Sequence, residues 1–459
     1  MVQKKCPRVV ITAPASGNGK TTVVCALLGA LQQQQQSVIS FKTGPDYIDP
    51  MFHRHVLHVP SYNLDSYLIP SRNRVKELLA TAYPTERTMA IIEGAMGYYD
   101  GIGTTSQAST YDVNTIIEAP TIVVLDGKGA ALTMASVLQG IKQFRSDSRI
   151  KGFILNNISP DVYAFYKGVL ETETGLKGYG CMPRLEEVHI PSRYLGLVTA
   201  QELHGLQHTL DVLQEAARTY LDIPGILSLS KTADSVSYEV TRLPRTQDVT
   251  IAVAYDEAFC FYYDSALAML QHMGAELIRF SPIRDNSLPL CHGLYLGGGY
   301  PELYASSLEQ NDTMKQAIRS AIDSGMPTIA ECGGFMYLLS QFSDSDGIYN
   351  WVGTLSGLSH MTERLTRFGY VEITTKKESL AGPAGTVLRG HEFHYSDSDC
   401  NGTDCTITKA GRNRSWQGYH IGDTLFAGYP HINLSGYPEI GRRFLNAALQ
   451  YKERRHTRE

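Results

Sequence analysis

The 459-residue chain reads as an α/β protein of two doubly wound domains, on three observations. Short apolar runs alternate with helical patterns through both halves of the sequence. Near the N-terminus an apolar strand runs into a glycine-bearing loop and then a helix. In the second half a strand stops at a cysteine followed by two glycines. Alternating strand and helix patterns imply parallel sheets, whose strands are covered on both faces and so read as continuous apolar runs.

In chain order, residues 9–11 predict the first strand, 13–22 a loop and 23–31 a helix, which the glutamines at 32–36 extend. Further strands are expected at 38–41, 89–92, 121–125 and 152–155, each ending in polar or glycine-rich sequence, where open α/β sheets bind ligands. The polar stretch 235–248, with Pro244, precedes a new strand at 249–254. The chain therefore divides into a first domain over 1–235, a linker over 236–248 and a second domain over 249–459, with strands at 276–280, 293–296 and 328–331. No sequence repeat relates the halves.

Composition narrows the class. Hydrophobic residues make up 43% and charged residues 19% of the chain, as in an ordinary globular protein. A net charge of −5 argues against nucleic acid or an anionic membrane surface as partner. No run approaches a membrane span and the start lacks a signal peptide's apolar stretch, so a cytoplasmic protein is expected. The eight cysteines, at 6, 25, 181, 260, 291, 332, 400 and 405, include no C-x-x-C pair and read as reduced thiols. His53, His55 and His58 crowd together, but the spacing suits a solvated loop as well as a metal site.

Ala13-Pro14-Ala15-Ser16-Gly17-Asn18-Gly19-Lys20-Thr21-Thr22, between strand and helix, reads as a phosphate-binding loop. Successive backbone N–H groups and a helix N-terminus wrap the phosphates, Lys20 adds a charge and the Thr21 hydroxyl suits magnesium. Pro14 stands where the strict pattern has its first glycine. Two acidic clusters follow where strands should end: Asp46 and Asp49 in a loop stiffened by Pro45 and Pro50, then Glu93 and Asp100 flanking a glycine-rich loop. Carboxylates beside a phosphate loop are the usual magnesium ligands of phosphoryl transfer.

The run Ile329-Ala330-Glu331-Cys332-Gly333-Gly334 presents a thiol at a sharp turn, where amide hydrogens can point at a developing oxyanion. A small buried residue at a strand end reads the same way, and the run taken alone leaves both readings open.

Six motifs in order carry a resemblance: Gly44-Pro45-Asp46-Tyr47-Ile48-Asp49-Pro50, Arg193-Tyr194-Leu195-Gly196-Leu197, Asp256-Glu257-Ala258-Phe259, Leu296-Gly297-Gly298-Gly299-Tyr300-Pro301-Glu302, Ala330-Glu331-Cys332-Gly333-Gly334 and Gly390-His391-Glu392-Phe393-His394-Tyr395-Ser396. Over nearly its whole length the chain resembles the cobyrinate a,c-diamide synthases. These are two-domain enzymes of corrinoid biosynthesis, a dethiobiotin-synthetase-like ATPase domain followed by a class I glutamine amidotransferase-like domain.

The resemblance implies that Cys332 is the glutaminase nucleophile and His431 its base, with His391 and His394 as competing candidates. Many class I amidotransferases carry a glutamate two residues after the histidine. Asn433 stands there in this chain, so no acidic third member is implied. Gly298, in the turn 297–299, and Gly333 would supply the oxyanion hole. Ser16, Gly17, Asn18, Gly19, Lys20, Thr21 and Thr22 would hold ATP phosphates and Asn156 the adenine edge. Thr21, Glu93 and Asp46 would hold Mg2+. Asp46, Asp49 and Asp100 would serve the metal or the reacting carboxylate, and Tyr47 and Ile48 would contact the tetrapyrrole. Tyr194 and the pair Tyr98-Tyr99 depart from the family's usual residues near the expected substrate region.

The implied chemistry explains two domains on one chain. ATP converts a carboxylate into an acyl phosphate, and ammonia from glutamine displaces the phosphate before water does, which favours a closed passage. ATP, glutamine and a tetrapyrrole are the expected partners, and a homodimer is left open. Diamide synthases acting on hydrogenobyrinate or nickel sirohydrochlorin share these motifs. A nucleotide-switch protein with an inactive amidotransferase module is the alternative from another class.

Overall fold

Seven parallel strands form the first sheet of the computed structural model, which describes residues 1–185, 200–245 and 248–456. Their spatial order is Ser61–Leu64, Val38–Thr43, Met89–Glu93, Arg8–Thr12, Thr121–Asp126, Ile150–Asn156 and Lys177–Met182. From Arg8–Thr12 the chain moves outward on one side, returns to insert Met89–Glu93, then continues on the other side. The order thus switches beside the first strand, and the ends of Arg8–Thr12, Val38–Thr43 and Met89–Glu93 open side by side.

Helix Lys20–Gln33 is hydrophobic all round because it is covered all round: 23–31 are buried in one cluster with Val9, Ile91 and Ile122 of the sheet and with Leu210, Leu213 and Ala217 of helix Ala200–Tyr220. It stops at Gln33, and Gln34 and Gln35 form a turn with Gln35 at φ +56°, so the glutamine run only partly extends it. Several helices start on serine caps. Ser71 accepts from Arg74 N–H, Ser109 from Asp112 N–H and Ser159 from Val162 N–H ahead of Pro160.

The chain divides into two units, Met1–Tyr67 with Ser71–Thr241, and Leu68–Pro70 with Arg242–Glu459. The interval read as a linker is not wholly unstructured. Val236–Tyr238 pairs antiparallel with Val2–Lys4, because Val236 and Tyr238 alternate with Ser237 and are buried on one face.

In the second unit the order Ala275–Phe280, Val249–Ala254, Gly293–Leu296, Thr328–Glu331 and Leu425–Gly428 is parallel, closed by antiparallel His420–Ile421. Two further sheets join it, a mixed one of four strands and an antiparallel one of five ordered Ser415–Gly418, Cys405–Lys409, Arg367–Thr375, Val387–His394 and His431–Ile432. The register of the second puts His431 directly opposite His391. Both units are therefore doubly wound α/β, the second with antiparallel additions. Among the described residues no helix is long and apolar enough to cross a membrane.

Candidate active sites

At the switch point, Gly17 and Gly19 take φ +82° and +90°, a backbone that side chains resist, and so curl the loop. At Gly19 a Cβ would lie 2.0 Å from Asn156 Nδ2, which itself donates to the Asn18 carbonyl at 3.1 Å. Asn156 therefore braces the loop from a neighbouring strand end. Asn18 Oδ1 accepts from Asp126 N–H at 3.1 Å. Lys20 is buried and donates to the carbonyls of Ala15 at 3.1 Å and Met96 at 2.6 Å; burial, then repulsion from Lys42, brings its pKa down to about 8. Ser16 stands exposed and Thr22 half-buried on the rim of the loop.

The Thr21 hydroxyl donates to Glu93 Oε1 at 2.6 Å. Glu93 is fully buried and its Oε2 has no hydrogen-bond partner. The same cluster holds a side chain that sequence reasoning missed. Lys42, in the all-buried strand Val38–Thr43, hydrogen-bonds Asp49 and Glu93, the latter at 2.8 Å, and lies 3.7 Å from Asp46. Burial opposes its charge, but Glu93 and Asp49 outweigh that and push its pKa well up. Burial likewise raises Glu93 to about 7 despite Lys42, while Lys42 keeps Asp49 below the ordinary range against burial. Asp46, Asp49 and Glu93 thus gather around Lys42 beside the phosphate loop, where Lys20 also feels Glu93 and Asp49.

Other expectations resolve differently. Asp46 Oδ1 accepts from Ile48 and Asp49 N–H at 2.8 and 3.3 Å, so this carboxylate turns the chain into helix Ile48–His55. Tyr47 is buried, and Ile48 leans on the core under the phosphate-loop helix. Asp100 accepts from Gly97 N–H at 3.0 Å and closes its own loop. Tyr98 is a core residue and Tyr99 a half-buried one packed against the same cluster: their hydroxyls donate to the Ser148 and Ile141 carbonyls, and their rings meet Tyr111. His53 is not in a solvated loop but buried on helix Ile48–His55, 3.0 Å from Ser40 Oγ and 3.9 Å from Glu93 Oε2, with its pKa lowered to about 4 by burial. Among the described residues no three His, Cys, Asp or Glu side chains form a metal cage. The motif at 193–197, with Tyr194, lies outside the described residues.

In the second unit Cys332 sits at φ +49°, ψ −108°, between strand Thr328–Glu331 and helix Gly333–Leu338. A non-glycine residue at such angles costs on the order of 1–3 kcal/mol, and strain of this kind clusters where a side chain must be held out for chemistry. His431 lies beside Cys332, with its Nδ1 3.7 Å from Glu331 Oε2. Burial would depress its pKa, yet Cys332 and Glu331 outweigh it and raise the pKa to about 10. His391, beside it, is pushed down to about 3 by burial and by repulsion from His431. His394 instead stacks flat on Tyr429, ring centroids 4.1 Å apart, and meets the Ser396 carbonyl at 2.7 Å.

The turn 297–299 crosses directly over this pair. A Cβ at Gly298 would sit 2.4 Å from His431 Cε1 and 3.4 Å from Cys332 Cβ, and one at Gly333 would be 3.3 Å from Gly299 N. The turn is held by the Asp256-to-Phe259 motif. Asp256 Oδ1 accepts from Ala258 and Phe259 N–H, and Cys260 and Phe261 N–H both donate to the Gly298 carbonyl. Gly298→Ala is expected to displace the imidazole and lower glutaminase kcat/KM by about 10²-fold, the scale of a 1 Å misplacement. Ammonium-dependent activity, measured in parallel, should stay near wild type.

Comparison with known proteins matches both units. A family model described as the CobQ/CobB/MinD/ParA nucleotide binding domain covers residues 9–197, and one described as the CobB/CobQ-like glutamine amidotransferase domain covers 250–438. Proteins named cobyrinate a,c-diamide synthase are similar end to end. That of Listeria innocua serovar 6a is 37% identical, over 94% of this chain and 97% of its own length. Those of Caldanaerobacter subterraneus subsp. tengcongensis and Thermoplasma volcanium are each 36% identical, over 97% and 98% of this chain and 99% of their own lengths. The chain belongs to the cobyrinate a,c-diamide synthase family of glutamine-using carbon–nitrogen ligases.

Sequence reasoning left out Lys42 and Glu331. A lysine closing the apolar run at 38–41, directly before Thr43-Gly44-Pro45-Asp46, was the signal for the first. Glu331 ended a strand and was counted as its boundary.

Proposed function

We propose that the protein catalyses ATP-dependent amidation of the a- and c-side-chain carboxylates of cobyrinate, with ammonia taken from glutamine, as a step of cobalamin biosynthesis. The observation that carries the reading is the likeness to cobyrinate a,c-diamide synthases over more than nine-tenths of both chains.

In the first unit the loop 16–22 takes the ATP phosphates and Lys20 offsets their charge. A substrate carboxylate oxygen attacks the γ-phosphorus, ADP leaves, and an acyl phosphate forms. Ammonia then attacks the acyl carbon and phosphate departs as the amide forms. Lys42 stands where it can steady the entering carboxylate, held by Asp49 and Glu93. The donor set fits Mg2+: a hydroxyl and a buried carboxylate with one orphaned oxygen, Thr21 and Glu93, with the Asp46 carboxylate also beside Lys42. Bound there, the ion would offset phosphate charge. In the second unit Cys332 Sγ attacks the glutamine amide carbon and His431 protonates the departing nitrogen, while backbone groups at Gly298 and Gly333 face the oxyanion.

Asp49→Asn should lower synthesis by about 10²-fold with either glutamine or ammonium, because Lys42 loses its anchor. Asp46→Asn should lower it less, since Asp46 Oδ1 is committed to the turn. Both should leave glutaminase near wild type, and a loss confined to thermal stability would make these acids structural.

Product mass spectrometry with cobyrinate, hydrogenobyrinate and nickel sirohydrochlorin, each with ATP, Mg2+ and glutamine, tests the substrate. Two amidations of cobyrinate are expected. Amidation confined to nickel sirohydrochlorin would overturn the substrate, and ATP turnover indifferent to tetrapyrrole and glutamine would point to a nucleotide switch.

A further inference from the structure

Glu331 ends the strand that delivers the nucleophile, and its side chain is 1% exposed. A carboxylate so buried needs donors and a compensating charge, because an unpaired buried ion costs several kcal/mol. The donors are present. Ile432 N–H donates to Oε1 at 3.0 Å and the Tyr295 hydroxyl to Oε2 at 3.3 Å. The cation at hand is His431, whose Nδ1 lies 3.7 Å from Oε2.

The ring orientation is set from both sides. Its Cε1–Nε2 edge faces Gly298, where a Cβ would lie 2.4 and 3.1 Å from those two atoms, and that edge lies toward Cys332. Nδ1 is thereby left to Glu331. The residue expected to do this in related amidotransferases, two after the histidine, is occupied elsewhere. Asn433 Oδ1 accepts from Ser435 N–H at 3.1 Å and Ser435 Oγ at 2.6 Å, capping the turn Leu434–Gly436.

We propose that Glu331 is the acidic third member of the glutaminase site, a positioning residue that orients His431 through Nδ1 from the strand carrying the nucleophile. The proposal rests on the reading of Cys332 and His431 as nucleophile and base. The thiolate forms the bond to the amide carbon, the C–N bond breaks, and the His431 proton leaves with ammonia. Water then attacks the thioester, giving its proton back to His431 and releasing glutamate.

The charges around the ring agree with that role. Cys332 and Glu331 face it from the nucleophile strand and turn, and both favour the imidazolium. His391 faces it from Val387–His394 and stays neutral, its pKa held near 3 by burial. Tyr295, Tyr262 and Tyr419 face Glu331, and burial pushes all three hydroxyls well up, so they add no charge.

The test uses the full chain carrying Glu331→Gln, which keeps the shape and an acceptor for Ile432 N–H but removes the charge. Glutaminase kcat/KM is expected to fall about 10²-fold or more. Its alkaline limb should move to lower pH, because the imidazolium loses its anion, while ammonium-dependent synthesis and Tm stay near wild type. Glu331→Asp should recover part of the rate and of the limb. An unmoved pH profile in a folded Glu331→Gln protein overturns the proposal. Should that variant not fold, an unmoved limb in Glu331→Asp overturns it equally. His431→Asn separates the two readings: retained glutaminase there would overturn the base itself, whereas its loss beside an unmoved Glu331→Gln profile would sink only the role of Glu331.

Discussion

Cys332→Ser is expected to reduce glutamine-dependent synthesis by about 10³-fold or more, because a serine hydroxyl beside the same imidazole is far less ionised at neutral pH than a thiol. Synthesis from added ammonium should survive. Its rate should rise with pH within the stability range, since only neutral ammonia carries the lone pair that attacks an acyl phosphate. The structure adds a reason to expect clean separation. The thiol and His431 belong to the second unit, and Lys20, Lys42 and Glu93 to the first. Serine at φ +49° carries the same backbone strain as cysteine, and Tm should change little. Assays of the purified variant with glutamine and with ammonium chloride, both with ATP, Mg2+ and cobyrinate, make the measurement. Equal loss with the two nitrogen sources in a folded protein would mean that Cys332 supports synthesis itself.

The parts of the fold legible in the sequence were those in which one local rule decides. Strands covered on both faces read as apolar runs, so Val249–Ala254, Gly293–Leu296 and Thr328–Glu331 were found with their bounds. Ser61–Leu64 and Lys177–Met182 were missed, because Tyr62-Asn63 and Gly178-Tyr179-Gly180 break the run and only neighbours in the sheet hold them extended. The antiparallel sheet was missed for a related reason. Arg367–Thr375 and Val387–His394 carry charges and histidines on a face whose burial depends on the partner strand rather than on their own pattern.

The sites divided in the same way. Gly17, Gly19 and Lys20, or Cys332 with its glycines, are dictated by backbone geometry within a few residues, and the structure brings each set together. Lys42 and Glu331 are charges inside buried strands, and their meaning comes from side chains far off in sequence: Glu93 is 51 residues from Lys42, and Ile432 is 101 from Glu331. Asp46 was legible as an acid in a stiff loop but not as the acceptor that starts a helix.

Lys20→Ala should abolish synthesis with both nitrogen sources, by about 10²- to 10³-fold, the scale of removing one preorganised charge from a transferring phosphoryl group. Activation precedes the step at which ammonia enters, so no supply of ammonium can bypass it. Glutaminase need not follow, since Cys332, His431 and Gly298 form their site without Lys20. Lys20 also ties the Ala15 and Met96 carbonyls, so a loosened loop would add to the loss in the alanine variant. Lys20→Met resolves that, because it keeps the buried stem and deletes only the charge: a synthesis rate as low as that of the alanine variant, with Tm near wild type, assigns the effect to the ammonium group. Ammonium-dependent synthesis retained in either variant would move the nucleotide site away from the loop 13–22, and with it the division of labour between the two units.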